Sequence, residues 1–505
     1  MNHWLTAPIL IPLIGGILQA FMGYAPIALR RTLAIATTVL MLVAAIVLLV
    51  LADDGSYRLY AFGNWQPPFG IVLVLDRLAA LMLVMTAVLA LFCHIYAIGG
   101  TDESSRQFHG LFLFQLLGLN IAFLTGDLFN LFVAFEVLLI ASYGLLMHGE
   151  GTSRTVPGLH YVVLNLAGSA VFLIAVGMIY SVTGTLNMAD LAVKIPQVAE
   201  ENLPLVKAGG MMLLVVFGLK AAILPLCFWL PGAYSNATAP VAALFAVMTK
   251  VGIYAIIRVF TLIFGNQAGE LSGLGKDWLF PLALITLTMG VIGALGAASL
   301  RKLIAWQVII SVGTLLAAIS FGTVAGTSAA LFYLLNTTWV AGGLFLVADL
   351  VDGQRGSAQD KIVTAPRIAN RTFLSVLFLM GAVAAVGLPP LSGFFAKLLI
   401  LKSAVTESDV AWLWSVLLIG SFFTLIAYSR AGSIVFWRNV EGHIEEPQKL
   451  TPSLSVSASA LISLSIVMVI LAGPISRYAE DTAAQLHDTS AYTEILSKPM
   501  VGEEK

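Results

Sequence analysis

Apolar runs long enough to cross a bilayer as helices, at about 20 residues each, recur along the whole chain. There are fourteen: residues 4–22, 32–52, 71–98, 110–124, 128–147, 159–182, 208–230, 241–264, 278–298, 303–321, 329–350, 373–400, 411–436 and 453–471. Thr125, Gly126 and Asp127 alone separate the fourth run from the fifth, so a tight turn makes these two antiparallel neighbours. Residues 186–199 are too polar to span and predict a surface helix or lid between the sixth and seventh runs. The opening MNHWLTAPILIPLIGG has neither a basic n-region nor a small-residue cleavage pattern, and so predicts a retained first span. The pattern as a whole is that of an all-α polytopic membrane protein.

Three runs carry lysine where water is hard to reach. Lys220 and Lys250 have apolar residues on both sides for two turns or more, and Lys397 closes the segment GLPPLSGFFAK. A lysine near the bilayer centre costs on the order of 2.5–3.5 kcal/mol on insertion scales, which makes a protein-lined, hydrated interior the expected setting. Prolines interrupt two of these runs. Pro225 has no amide hydrogen to offer the carbonyl of Ala221, Pro231 follows it, and Pro389 and Pro390 precede Lys397. Such breaks are tolerated at membrane depth only where protein or water satisfies the freed groups. Interrupted segments in corresponding places of two halves point to inverted repeats with a path near the midplane. Spans 4–8 and 9–13 then form two five-helix units, with broken helices in spans 7 and 12. The resulting divisions are residues 1–107, 108–265, 266–437 and 438–505.

Composition agrees and narrows the class. Of 505 residues, 59% are hydrophobic and 10% charged, and the mean hydropathy is +0.95, whereas soluble chains carry roughly 25% charged residues. The net charge of -1 leaves no basic surplus for nucleic acid, and Cys93 and Cys227 lie in apolar segments, as buried thiols would. With the first loop placed on the cytoplasmic side, that side collects thirteen lysines and arginines from Arg30 to Lys449. The other side holds seven, Lys498 and Lys505 among them. Lysine and arginine favour cytoplasmic loops, so fourteen spans with both termini outside fits best.

Among the intramembrane charges, Glu136 lies near the middle of the fifth run, where a bare carboxylate must be protonated or paired. Its expected partner is Lys220. Asp76, Arg77 and Arg258 read as interfacial or snorkelling groups, and Asp127 as a structural turn residue. Neither H-E-x-x-H nor C-x-x-C occurs, and ELSGLGKD departs from a phosphate loop at Glu270 and Asp277. The chain therefore offers no metal site, cofactor site or hydrolase chemistry.

FNLFVAFEVLL around Glu136, FGLKAAILPLCFWLPGAY around Lys220, VMTKVGIYAIIR around Lys250 and GLPPLSGFFAK ending in Lys397 together resemble the antiporter-like subunits shared by Mrp-type multisubunit cation/proton antiporters and respiratory complex I. The resemblance covers residues 71–437, and length and the last motif are most similar to the D-type branch of the Mrp antiporters. It implies a fourteen-helix fold with Glu136, Lys220, Lys250 and Lys397 as a proton path. It also implies exchange of sodium for protons inside a hetero-oligomeric complex of the bacterial cell membrane. Many relatives place a histidine and a lysine where this chain has Thr337 and Ala341, so hydroxyl groups and water, held by Ser311, Tyr333, Asn336, Thr337 and Thr338, replace an amine between Lys250 and Lys397. Lys397 argues against the fourth mitochondrial-type relative, which carries glutamate there. Two other functions remain open from the residues: a proton-pumping membrane subunit of a redox-driven complex, and a stand-alone solute carrier, for which one glutamate and three lysines offer little polar variety.

Overall fold

A computed structural model describes residues 3–65, 68–149, 154–441 and 448–494. Lys498, Lys505 and the outer ends of the divisions 1–107 and 438–505 lie outside the described residues. The described chain is almost entirely helical. Twelve helices are long and apolar enough to cross a membrane, and two shorter apolar helices, Phe108–Leu124 and Arg371–Val386, accompany them.

In chain order the membrane helices begin with α1 (Ala7–Phe21), α2 (Ile27–Ala52), α3 (Arg77–Ala97), α4 (Phe108–Leu124), α5 (Leu128–Leu146) and α6 (Thr155–Thr183). The short α7 (Met188–Lys194) follows, capped by the Asn187 side chain on two backbone amides. It occupies the segment expected to form a surface helix, with Met188 and Leu191 buried beneath it. Then come α8 (Leu203–Ala221), α9 (Trp229–Asn236), α10 (Ala239–Leu262), α11 (Lys276–Leu295), α12 (Leu300–Ile319) and α13 (Val324–Asp352). The chain continues through α14 (Arg371–Val386), α15 (Ser392–Lys402), α16 (Glu407–Gly432) and α17 (Pro452–Ile470). It closes with α18 (Ala472–His487) and the short α19 (Ser490–Thr493).

Both expected breaks are present. The seventh run divides into α8 and α9, with Ala222 at φ 66° ending α8; the twelfth divides into α14 and α15, with Gly387 at φ 86° ending α14. Each interruption holds one cis peptide bond, Leu224–Pro225 and Pro389–Pro390. Pro231 does not break a helix. It occupies the first turn of α9, where its missing amide hydrogen would have no intrahelical partner anyway.

The third run starts later than its hydrophobicity suggests. Val72–Leu75 forms a strand, β2, paired antiparallel with β1 (Arg58–Ala61). Asp76 then caps α3 by accepting the amide of Ala79 at 2.8 Å, so the helix begins at Arg77. Asp127 caps α5 in the same way through Asn130, which agrees with its reading as a structural turn residue. At the carboxyl end, the amphipathic α18 packs back against α13 and α3, and its Gln485 accepts from the amide of Arg77 and donates to the carbonyl of Gly55.

Burial orders the helices. α10 and α13 are enclosed along their whole apolar windows, and α12 nearly so. By contrast α16 turns Trp412, Leu418, Ile419 and Phe422 outward, as a lipid-facing helix does. The loops rich in arginine are tied together at one end of the bundle. Arg31 pairs with Asp102 at 2.7 Å, Arg154 donates to the carbonyl of Asn236, and Arg301 pairs with Asp349 and Asp352.

Candidate functional site

Polar groups inside an apolar bundle need partners made by other helices, because the bilayer supplies none. Lys220 is the last but one residue of α8, where the unpaired carbonyls of the helix end carry partial negative charge that favours a cation. Its ammonium donates to Oδ1 of Asn165 on α6 at 3.0 Å. Four residues further along α6, Ser169 donates a short hydrogen bond to Oε1 of Glu136. The expected direct pair of Glu136 with Lys220 is therefore corrected: among the described residues the two make no ion pair. They remain within electrostatic range. Asn165 and Ser169, one turn apart on the same face, stand between them. The physical reason is placement, since α6 supplies two neutral side chains in the space where two charges would otherwise meet.

The break behind Lys220 is sealed by protein. The amide of Leu224 donates to the Thr286 hydroxyl of α11 at 3.0 Å, and the Trp229 indole donates to the carbonyl of Leu219 at 3.3 Å. Pro225 follows in the same turn and is itself exposed on the outside of the chain. A small cavity of about 10 Å³ adjoins the break, lined by Tyr161, Asn165, Lys220, Trp229 and Met248 among others, which is about the volume that holds one water.

Lys250 is fully buried on α10. Its ammonium donates to the Ser311 hydroxyl at 2.9 Å and to the neighbouring Thr249 hydroxyl at 3.3 Å. Lys397 lies midway along α15 and folds back on the end of α14, donating to the carbonyl of Val386 at 2.7 Å and to the Ser421 hydroxyl of α16 at 2.8 Å. The Pro389–Pro390 interruption leaves that carbonyl free of a helix partner, and the amine occupies it. Gly387 belongs to the same fitting: a Cβ there would lie 2.6 Å from Cδ of Lys397, and its positive φ already favours glycine.

Between the last two lysines stands α13. The Tyr333 hydroxyl is buried without a hydrogen-bond partner and faces Thr314 and Thr337. The Tyr428 hydroxyl of α16 is also without a partner and lies within electrostatic range of Tyr333. Asn336 accepts from Ser392 at 2.7 Å, whereas Thr338 turns its hydroxyl back to the carbonyl of Leu334. No hydrogen bond joins Ser311 to Ser421 among the described residues, so the structure brings each lysine to its own neutral oxygens without linking the three directly.

Arg258 and Asp76 require a second correction. They are not snorkelling groups. Arg258 is 3% exposed and Asp76 0%, and they form a two-pronged ion pair at 2.5 and 2.8 Å between α10 and the start of α3. A guanidinium fork matches a carboxylate in this geometry, which anchors the two helices. Arg77 is partly exposed, 3.9 Å from Asp481.

Residues 125–424 match the family described as NADH:quinone oxidoreductase/Mrp antiporter, TM. The chain is 40% identical to the D-type subunit of a probable K(+)/H(+) antiporter from Rhizobium meliloti (strain 1021), covering 99% of both chains. It is 35% identical to the D-type subunit of a Na(+)/H(+) antiporter from Bacillus subtilis (strain 168), covering 99% of this chain and all of the relative. Among solved structures, it superimposes on a chain of the Mrp complex from Dietzia sp. DQ12-45-1b with a TM-score of 0.87 at 26% identity, over 99% of this chain and 100% of that one.

Proposed function

The chain belongs to the NADH:quinone oxidoreductase/Mrp antiporter family of membrane proteins, and from that premise we propose that it is the proton-translocating subunit of a multisubunit cation/proton antiporter. Protons pass along a row formed by Glu136, Lys220, Lys250 and Lys397. The observation that carries this reading is the set of three buried ammonium groups, each hydrogen-bonded among the described residues to neutral oxygens. A structural ion pair needs an acid beside each amine, and Lys250 and Lys397 have none among their hydrogen-bond partners. A lysine so placed holds or yields its proton according to the nearest movable charge, and Glu136 is that charge for Lys220. Ser311, Tyr333 and Thr337 carry the hydrated stretch between Lys250 and Lys397, while the interruptions at Pro225 and at Pro389–Pro390 end α8 and α14 beside Lys220 and Lys397.

In this reading the two shorter apolar helices also cross, giving fourteen spans, with spans 4–8 and 9–13 as inverted five-helix units over residues 108–265 and 266–437. The protein works in the bacterial cell membrane beside other membrane subunits. Sodium is the exchanged cation in this reading, and among the described residues no group of three or more histidine, cysteine or carboxylate side chains is placed to hold a metal ion. The test is cation-driven proton movement in vesicles holding the purified complex. Glu136→Ala and Lys220→Ala are each expected to abolish it while the complex still assembles, and Glu136→Asp to keep part of it. Undiminished transport by either alanine variant sinks the assignment. Replacing sodium by potassium in the same vesicles decides the cation.

A further inference from the structure

Lys220 is buried in the bundle and Glu136 beside it half-buried, and a proton has to reach them from one face. On the face carrying the basic loops, a polar cavity of about 800 Å³ opens among the ends of several helices, with Gly149, Arg154, Asn236, Thr238 and Arg301 in its lining. Arg154 closes its floor, donating to the carbonyls of His148, Gly149 and Asn236. Below that clasp, one turn inside the end of α5, the hydroxyl of Tyr143 is buried without a hydrogen-bond partner. Tyr143 lies seven residues from Glu136, so both occupy one face of α5 about two turns apart, and they are in electrostatic range.

Beside it stands a pair of hydroxyls on facing helices. The Ser142 Oγ and the Tyr161 hydroxyl are 2.8 Å apart, with either able to donate. Each has a second partner: Ser142 reaches the carbonyl of Leu139 at 2.7 Å, and Tyr161 reaches the sulfur of Met248 at 3.8 Å. Both residues are at most 1% exposed. The pair therefore has two complete hydrogen-bond arrangements, related by rotating both hydroxyls, so that after a proton has hopped across it the hydroxyls can turn back without moving a heavy atom. The Tyr161 and Tyr143 rings meet edge to face at 5.4 Å. On its inner side Tyr161 lines the one-water cavity that also touches Asn165 and Lys220.

We propose that Tyr143, Ser142 and Tyr161 form the proton inlet to Glu136 and Lys220, drawing from the cavity on the face of the basic loops. The inference rests on the reading of Glu136 and Lys220 as proton carriers. In each transfer a hydroxyl accepts a proton on one side and releases its own on the other, so the relay ends with every residue in its starting state once the hydroxyls turn back.

The test uses the assembled complex in vesicles with the pH of each face set independently. Tyr161→Phe keeps the ring and removes the hydroxyl, and Ser142→Ala removes its partner. Each is expected to lower proton flux about a hundredfold or more, in the range of a lost proton-transfer group. The residual flux should rise in proportion to the proton concentration on the basic-loop face and ignore that on the other, a response that mere loosening of packing does not produce. Ser142→Thr, which restores a hydroxyl, should recover most of the rate. If Tyr161→Phe fails to assemble, Ser142→Ala with Ser142→Thr carries the comparison. Flux near the unaltered level in Ser142→Ala or Tyr161→Phe overturns the inlet, as does a loss equally sensitive to both faces. Glu136→Ala and Lys220→Ala are run beside them: dead controls with a normal Tyr161→Phe remove the inlet alone, and active controls remove the parent reading.

Discussion

Lys397 shows what a single side chain has to do. Its stem passes Gly387, and its ammonium fills a slot bounded by the Val386 carbonyl and the Ser421 hydroxyl. If charge alone were needed, arginine would serve. A guanidinium, however, keeps its proton at every working pH and brings a planar fork in place of a compact ammonium. Lys397→Arg is therefore expected to fail in sodium-driven proton flux nearly as badly as Lys397→Ala, measured at equal complex levels. Robust activity with arginine would make Lys397 a structural cation and leave the row without its last carrier. The lysines themselves were legible from sequence, because a charge in an apolar run announces itself. Ser421 was not, since a serine inside SFFTLIAYS looks like many others until α16 is laid against α15. Asn165 was the available signal that went unused: an amide in the middle of α6 needs a partner as a lysine does.

At the scale of the element, the proposed path requires α13 to connect two lysines without an amine of its own. Its successive threonines are unequal. Thr338 spends its hydroxyl on Leu334 one turn back, while Thr337 shares a face with Tyr333. Thr337→Leu should consequently depress proton flux well below Thr338→Leu, when both are compared at matched assembly. Equal tolerance would place the route elsewhere. The broken helices were readable as breaks because proline has no amide hydrogen, but their ends were not: Pro231 sits harmlessly in a first turn, and Ala222, not a glycine, takes the left-handed position. The strand Val72–Leu75 was hidden inside a run that hydrophobicity alone assigned to α3, and the Asp76 cap was the mark of the true start.

For the molecule as a whole, the buried pair Asp76–Arg258 clasps α3 to α10, and the Tyr492 ring lies 5.9 Å from the guanidinium. Sequence distance conceals this clasp, because the two residues are 182 positions apart and each alone resembles an interfacial charge. Removing one partner leaves the other charged and enclosed, a loss of about 3–5 kcal/mol in comparable buried pairs. Asp76→Asn and Arg258→Leu should each lower the melting temperature of the complex sharply, and the double replacement less than the sum of the two. Strict additivity would show that the pair does not act as a unit.

Among the described residues, Lys250 and Lys397 have hydroxyls and a carbonyl as hydrogen-bond partners and no carboxylate. A proton arriving on either amine thus adds charge that nothing nearby cancels, inside the region across which the membrane voltage falls. Moving one elementary charge through the full voltage is worth about 2.3 kcal/mol per 100 mV, so even part of that drop rivals a hydrogen bond. In the proposed path an energised membrane would accordingly help decide how many of these amines are loaded, which would make the row a voltage-sensitive store as well as a conduit.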